Sequence, residues 1–331
     1  MAKRMQAVGI GNALVDILGH VDDEFLKQYR IEKGVMQLID RPRASELTVP
    51  LGTTTAVCGG SAANTIAGLA QLGHATAYVG KVKEDALGVL FAEDIRSLNI
   101  AYGTGLAPAC KPYGTGRCIV LVTPDGERSM NTYLGASEFL TPEDIDAGLI
   151  GDSEWLYLEG YRFDGPESQR AFLAAVRACK RAGGRVALTL SDPFCVDRHR
   201  EAFRSLLREK LDILFCNRQE LLSMYQMSDL DRALADSASE SGIVACTLAE
   251  NGAIVACGRE RSKVDAFPTK VVDATGAGDL FAAGFIHGVL EGRELAACAR
   301  LGCAAASEVV AHIGARPESS LGDAFRRRGL G

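Results

Sequence analysis

Asp273-Ala274-Thr275-Gly276-Ala277-Gly278-Asp279 runs without a break into the apolar stretch Leu280 to Leu290. Small residues at 276–278 let successive backbone N–H groups turn toward one point. The helix predicted over the apolar stretch adds unpaired N–H groups and the positive end of its dipole. The segment reads as an anion hole formed by Gly276, Ala277 and Gly278, with Thr275 at its edge. Asp279 then places a second negative charge beside an anion site, which repels the ligand unless the carboxylate has a task. Accepting the proton of a hydroxyl that attacks a phosphoryl group is such a task. The same residues also read as a plain loop-to-helix junction with Asp279 in the first turn, and the segment alone does not separate the two.

Outward from this stretch, short β-rich runs alternate with longer helical patterns. Strands are expected at Ala7 to Asn12, Ala75 to Gly80, Trp155 to Leu158, Val186 to Leu190, Ile213 to Cys216, Ile243 to Thr247 and Ala253 to Cys257. Helices are expected near Ala62 to Leu72, Ala86 to Leu98, Glu167 to Ala182, Arg200 to Lys210, Arg218 to Tyr225 and Leu280 to Leu290. The alternation predicts an α/β three-layer sandwich with a mostly parallel central sheet, and ligands at the carboxyl ends of its strands. Two stretches break the pattern, about Leu14 to Leu38 and Tyr113 to Tyr133, the second with the turn signal Thr123-Pro124-Asp125-Gly126. Together they are expected to pair into a small β-sheet lid that keeps water from a phosphoryl transfer. No repeat or linker divides the chain, so residues 1–331 are read as a single domain.

Composition restricts the function. A net charge of -6 over 331 residues argues against nucleic acid as the main partner and carries no membrane signal. No apolar run approaches a membrane span, and the N-terminus leads into a strand-like segment rather than a signal peptide, so a cytoplasmic location is expected. The ten cysteines are scattered without C-x-x-C spacing and read as small buried hydrophobes of a reducing compartment. The five histidines are equally dispersed, which argues against a histidine metal cluster.

Further constellations point toward chemistry. In Gly11-Asn12-Ala13-Leu14-Val15-Asp16, Asp16 stands just past a predicted strand, where a carboxylate can accept from two vicinal sugar hydroxyls. Taken alone it reads more simply as a loop aspartate capping local backbone. Cys58-Gly59-Gly60-Ser61-Ala62-Ala63-Asn64 permits close backbone approach at its glycines and places Asn64 one turn into a helix, though Ser61 is also a plausible plain N-cap. Asn217 and Glu220 share one helix face and could steer waters around a magnesium–phosphate complex. Read locally, they form a capping box with asparagine in place of serine.

These motifs, in this order and spacing over essentially the whole chain, resemble those of the ribokinase-like (PfkB) carbohydrate and nucleoside kinases. Within that family the resemblance is greatest to the adenosine kinases, carried by Gly11-Asn12 to Asp16, Val21-Asp22-Asp23-Glu24-Phe25-Leu26, Gly59-Gly60-Ser61, Leu190-Ser191-Asp192-Pro193-Phe194 and Asp212 to Asn217. The resemblance implies a ribokinase-like fold and ATP-dependent phosphorylation of the 5'-hydroxyl of a purine nucleoside, adenosine first, in purine salvage. It implies Asp279 as base, Gly276, Ala277 and Gly278 as anion hole and Arg128 as a lid arginine near the transferred phosphate. Asp16, Gly59, Gly60, Ser61 and Asn64 would hold the ribose, and Asn12, Leu14, Gln37 and Tyr161 the nucleoside pocket. Asn217 and Glu220 would serve Mg²⁺ through water. Thr247, Gly252, Thr275, Gly276 and Gly278 would line the ATP site, and Asp273 with the loop near Ile313-Gly314 a K⁺ site. Ala249 departs from the family, which often has glycine there, and a methyl group is costly at that position only with positive φ or close contact. The alternatives are a kinase of the same family acting on ribose or a fructose derivative, and a nucleoside-binding regulator without catalysis. Oligomeric state is open between monomer and homodimer.

Overall fold

The computed structural model describes residues 3–108, 110–164, 166–209 and 211–331. Its strands are β1 (Met5–Ile10), β2 (Leu14–His20), β3 (Met36–Leu38), β4 (Thr55–Gly59), β5 (Thr76–Val79), β6 (Ala101–Tyr102), β7 (Gly116–Val122), β8 (Arg128–Tyr133), β9 (Ser153–Glu159), β10 (Arg185–Thr189), β11 (Ile213–Asn217), β12 (Ile243–Thr247), β13 (Ala253–Cys257) and β14 (Glu260–Val264). A nine-stranded sheet takes the order β14-β13-β12-β11-β10-β9-β1-β5-β6, parallel except for the hairpin strands β13 and β14 at one edge. Near-continuous apolar strands such as Trp155 to Leu158 and Ile213 to Cys216 suit burial on both faces.

One face of this sheet is covered by the helices Ser61–Gln71, Ala86–Ser97, Ala277–Leu290 and Leu295–Val309, around Ile66, Phe281, Phe285 and Trp155. The other is covered by Pro166–Arg181, Pro193–Arg208, Arg218–Tyr225 and Leu230–Glu240, around Phe172, Phe203 and Leu214. The expected three-layer α/β sandwich is therefore what the chain forms. Lys210, the expected end of one helix, lies outside the described residues. That helix starts earlier than its pattern, because Asp192 caps it through the Cys195 N–H at 2.6 Å and Pro193 occupies its first turn. The helix Leu295–Val309 was not expected; its alanine- and cysteine-rich sequence shows little polar contrast, and it lies buried against Ala277–Leu290.

A second, five-stranded sheet takes the order β3-β8-β7-β2-β4. The two irregular stretches supply four of these strands, β2, β3, β7 and β8. The sheet extends beyond the expected first segment, since Thr55 to Gly59 pairs antiparallel with β2. Thr55-Ala56-Val57-Cys58 is β-prone but was not among the expected strands. The outer face buries Leu26, Leu47, Ile119 and Leu121 beneath the helices Asp23–Gln28 and Arg41–Thr48. The inner face turns toward the carboxyl edge of the large sheet, and Cys118, Met130 and Thr132 share a cavity with residues of that edge. Eight cysteines are buried, Cys257 is half-buried and Cys110 exposed. Among the described residues no helix is long and apolar enough to cross a membrane.

Candidate active site

In the large sheet β1 lies between β9 and β5, so connections leave it in both directions, and the crevice beyond such a strand's carboxyl end is where open α/β sheets receive ligands. A cavity of about 1400 Å³ opens there, between the two sheets. Asn12, Glu159, Asn217 and Thr247, at or just past the carboxyl ends of β1, β9, β11 and β12, reach it from one side. Leu14, Met36, Leu38, Met130, Thr132 and Leu134 face it from the other.

Gly276 caps the helix Ala277–Leu290 at φ +81°, and a Cβ there would sit 2.6 Å from the Ala315 carbonyl oxygen, so only glycine permits this entry angle. Beside Gly278 there is open space. Asp279, in the first helical turn, accepts from Ser61 Oγ at 2.7 Å and from Asn64 Nδ2 at 2.9 Å. Burial pushes its pKa up to about 6, opposed by those two bonds. Gly60 enters the helix Ser61–Gln71 at φ +99°, its missing Cβ making room for the Asn12 carbonyl oxygen at 2.2 Å. Asp16, on β2, faces the cavity with its pKa pushed up to about 7 by burial, against the pull of Arg316 and Arg128.

Arg128 and Asp273, expected in separate roles, form one ion pair at 2.7 Å that joins the small sheet to the glycine-rich loop. Asp273 is further occupied by Thr275 Oγ1 at 2.7 Å, the Thr275 N–H at 3.1 Å and the Gly314 N–H at 2.7 Å. Nη2 of Arg128 is buried without a hydrogen-bond partner, an orphan donor beside the cavity. Asn217 and Glu220 form the reciprocal capping box. Asn217 donates its N–H and Nδ2 to the Glu220 carboxylate at 2.9 and 2.6 Å, and the Glu220 N–H donates to Asn217 Oδ1 at 2.9 Å. With both carboxylate oxygens engaged and burial raising its pKa to about 7, Glu220 fits contact with a metal's waters rather than with the metal itself.

Tyr161 lines the cavity, its N–H donating to Ser191 Oγ at 3.1 Å and its hydroxyl to the Ser191 carbonyl at 3.3 Å. Gln37, Gly59 and Gly252 do not line it. Alternation along β3 turns Met36 and Leu38 inward and Gln37 outward, where Nε2 donates to the buried Asn131 Oδ1 at 2.6 Å. Gly59 backs the Asp16 carboxylate, whose oxygen would stand 2.7 Å from a Cβ. Gly252, at φ +81°, closes the turn after Thr247, and a Cβ would meet the Val264 carbonyl at 2.0 Å. Ala249 in that turn has φ +52°, the condition under which its methyl group is strained.

Two residues escaped the sequence reading. Glu159, about 1% exposed, accepts the Asn12 N–H at 3.2 Å and the Ala62 N–H at 2.9 Å, and burial raises its pKa to about 7. A carboxylate closing the apolar run Trp155 to Leu158 was the available signal. Arg316, which donates Nε to Asn64 Oδ1 at 3.3 Å and pairs with Asp94, follows a loop with no pattern to mark it.

The site thus joins an ionisable carboxylate to a helix N-terminus and an apolar wall. Residues 35–320 match the model of the pfkB family carbohydrate kinases. The chain is 46% identical to a probable sugar kinase from Rhizobium etli CFN 42, covering 99% of each chain with a TM-score of 0.93. It is 45% identical to the adenosine kinase of Sinorhizobium meliloti, covering 98% of this chain and 99% of that one, with a TM-score of 0.92. It is 28% identical over 312 residues to the adenosine kinase of Saccharomyces cerevisiae, spanning 87% of this chain and 89% of that protein. Glycine loop, carboxylate and fold thus agree with these similarities: the chain belongs to the pfkB family of carbohydrate kinases, and is a phosphotransferase with an alcohol group as acceptor and ATP as the donor that membership implies.

Proposed function

We propose that this chain transfers the terminal phosphoryl group of ATP to the 5'-hydroxyl of a purine nucleoside, adenosine first among them, giving AMP and ADP. One observation carries the reading: Asp279 and Asp16 share a cavity with the apolar wall of Leu14, Met36, Leu38, Met130 and Leu134. A planar base gains by covering such a wall, whereas a free sugar would leave it facing water. The names of the relatives in Sinorhizobium meliloti and Saccharomyces cerevisiae support the same acceptor.

In this reading Asp279, oriented by Ser61 and Asn64, takes the proton of the attacking hydroxyl. Asp16, Gly60 and Asn64 hold the ribose, while Asn12, Leu14 and Tyr161 flank the base. Gln37 acts from behind the wall through Asn131, and Gly59 by leaving room for Asp16. The N–H groups at 276–278 face the charge that develops on the phosphoryl oxygens. Arg128 adds its orphan donor to that charge. Thr247, Thr275 and the turn through Gly252 line the donor side. Asn217 and Glu220 would hold Mg²⁺ through its waters, and the ion would offset phosphate charge. The small sheet, about 14–38 and 113–133 together with β4, acts as a lid over a single functional unit.

A K⁺ ion beside Asp273 belongs to the same proposal: Arg128, drawn to phosphate, would free a carboxylate oxygen for it. Comparing rates in potassium and tetramethylammonium salts tests this. All of these residues lie in one chain, so a monomer or a homodimer would serve, in the cytoplasm where nucleoside salvage takes place.

The test is ADP release from ATP and Mg²⁺ across adenosine, inosine, guanosine, ribose and fructose 6-phosphate, with Asp279→Asn as control. Turnover with a purine nucleoside, lost in the control, supports the proposal. Turnover only with a sugar would transfer the site to the sugar reading, and none at all would favour a nucleoside-binding regulator.

A further inference from the structure

Two of the dispersed histidines meet in the fold. His74 follows the helix Ser61–Gln71, and His287 sits in the last turn of Ala277–Leu290, with its Nδ1 2.8 Å from His74 Nε2. One helical turn on, Glu291 brings a carboxylate oxygen, and the three potential ligand atoms lie within 4.8 Å of one another. His287 and Glu291 stand at the i, i+4 spacing that puts two side chains on one helix face. None of the three lines the cavity.

We propose that His74, His287 and Glu291 form a binding site for a divalent transition-metal ion of the zinc type, separate from the phosphoryl-transfer site. Tetrahedral ligands about 2.0–2.1 Å from zinc stand roughly 3.3 Å apart. The imidazoles must therefore open by about half an ångström, and the exposed Glu291 must swing inward. Two imidazole nitrogens and a carboxylate suit zinc, cobalt or nickel, and not magnesium or calcium, which take oxygen ligands. Water would complete the coordination.

Position gives the site its consequence. The helices that meet at His74 and His287 begin at Ser61 and Ala277, and carry Ser61, Asn64 and Asp279 in their first turns. They pack so closely that a Cβ on Gly68 would lie 2.8 Å from that of Ala283. Eight residue steps along the helix separate Asp279 from His287, about 12 Å. A metal at the far end would fasten together the two elements that hold the carboxylate at the near end, and by binding only the folded chain would stabilise it.

The experiment titrates chelator-treated, dialysed protein with cobalt chloride, followed by visible absorption, and with zinc chloride, followed by calorimetry and thermal melting. The expected result is a single equivalent of cobalt with tetrahedral ligand-field bands and no thiolate charge-transfer band, displacement by zinc, and a rise in the melting temperature that magnesium does not produce. His74→Gln should abolish the bands. Glu291→Gln, at an exposed position, should weaken binding and shrink the thermal shift. Thiolate bands, unchanged binding in both variants, or no stoichiometric binding would each overturn the proposal.

Discussion

At Ala249 the backbone sits at φ +52°, where an L-residue pays about 1–2 kcal/mol and glycine nothing. Glycine loses about 0.5–1 kcal/mol more chain entropy on folding, so Ala249→Gly is expected to leave stability level or slightly raised in denaturant titrations. Gly252→Ala, three residues on, should instead lose on the order of 2–4 kcal/mol, because the new methyl group collides with the Val264 carbonyl. If the two variants behave alike, the turn is not held as described. Asp279 is the other residue where a single atom decides. With Asp279 as the proposed base, Asp279→Asn keeps the size and loses the proton acceptor, so kcat should fall on the order of 10²–10⁴-fold with the circular dichroism unchanged. A base that must be ionised, with its pKa raised to about 6, should make kcat/KM climb with pH through that value.

Among the elements, the small sheet and the glycine-rich loop are joined by the Arg128–Asp273 pair, which has little access to solvent on either side. Removing one partner of such a pair leaves a buried charge uncompensated. Arg128→Ala is therefore expected to speed amide exchange in Met36–Leu38 and Arg128–Tyr133 while leaving β9 to β12 protected, as read by hydrogen-exchange mass spectrometry. Equal protection in both proteins would mean that the bridge does not hold the sheets together. Glu159 joins a different pair of elements, the turn after β1 and the start of the helix Ser61–Gln71. Glutamine in its place offers one oxygen to two N–H donors, and a buried donor left without a partner costs about 1–3 kcal/mol. Glu159→Gln should accordingly raise the acceptor's KM more than it lowers kcat, since the turn at Asn12 loosens while Asp279 keeps its bonds to Ser61 and Asn64.

For the molecule as a whole, Asp16, Glu159, Glu220 and Asp279 all have pKa values raised by burial to about 6 or 7. A carboxyl whose folded-state pKa lies above its unfolded value keeps its proton longer in the native state, so its contribution to stability declines as pH rises between those two values. His74 and His287, lowered by burial, act in the opposite sense, so the test is a difference. The stability of Asp16→Asn relative to the parent should grow from about pH 4 to about pH 7 and then level off, by up to about 4 kcal/mol, while affinity for the acceptor falls. A constant difference would show that Asp16 is not buried as a charge. Most layers of this fold were legible because apolar strands alternate with helical patterns, and Ile243 to Thr247 and Arg218 to Tyr225 agree residue for residue, whereas the helices Leu230–Glu240 and Leu295–Val309 were not read from the sequence. The glycine loop and Asp279 were legible because local chemistry marks them. The Arg128–Asp273 pair, the outward turn of Gln37 and the meeting of His74 with His287 were not, since each depends on how distant segments pack. Two of the passages between the sheets are short: Gly11 to Ala13 joins β1 to β2, and Gly60 alone joins β4 to the helix that begins at Ser61, whereas residues 103–115 and 134–152 make the other two crossings. Asn12, Gly60 and Ser61 stand in or beside these short passages and also line the cavity, so on the proposed reading any tilt of the small sheet would also change the grip on the acceptor. Adapting the enzyme to a bulkier acceptor would then involve these passages as well as the apolar wall, because a rotation there would shift the strands that carry Leu14, Met36 and Met130.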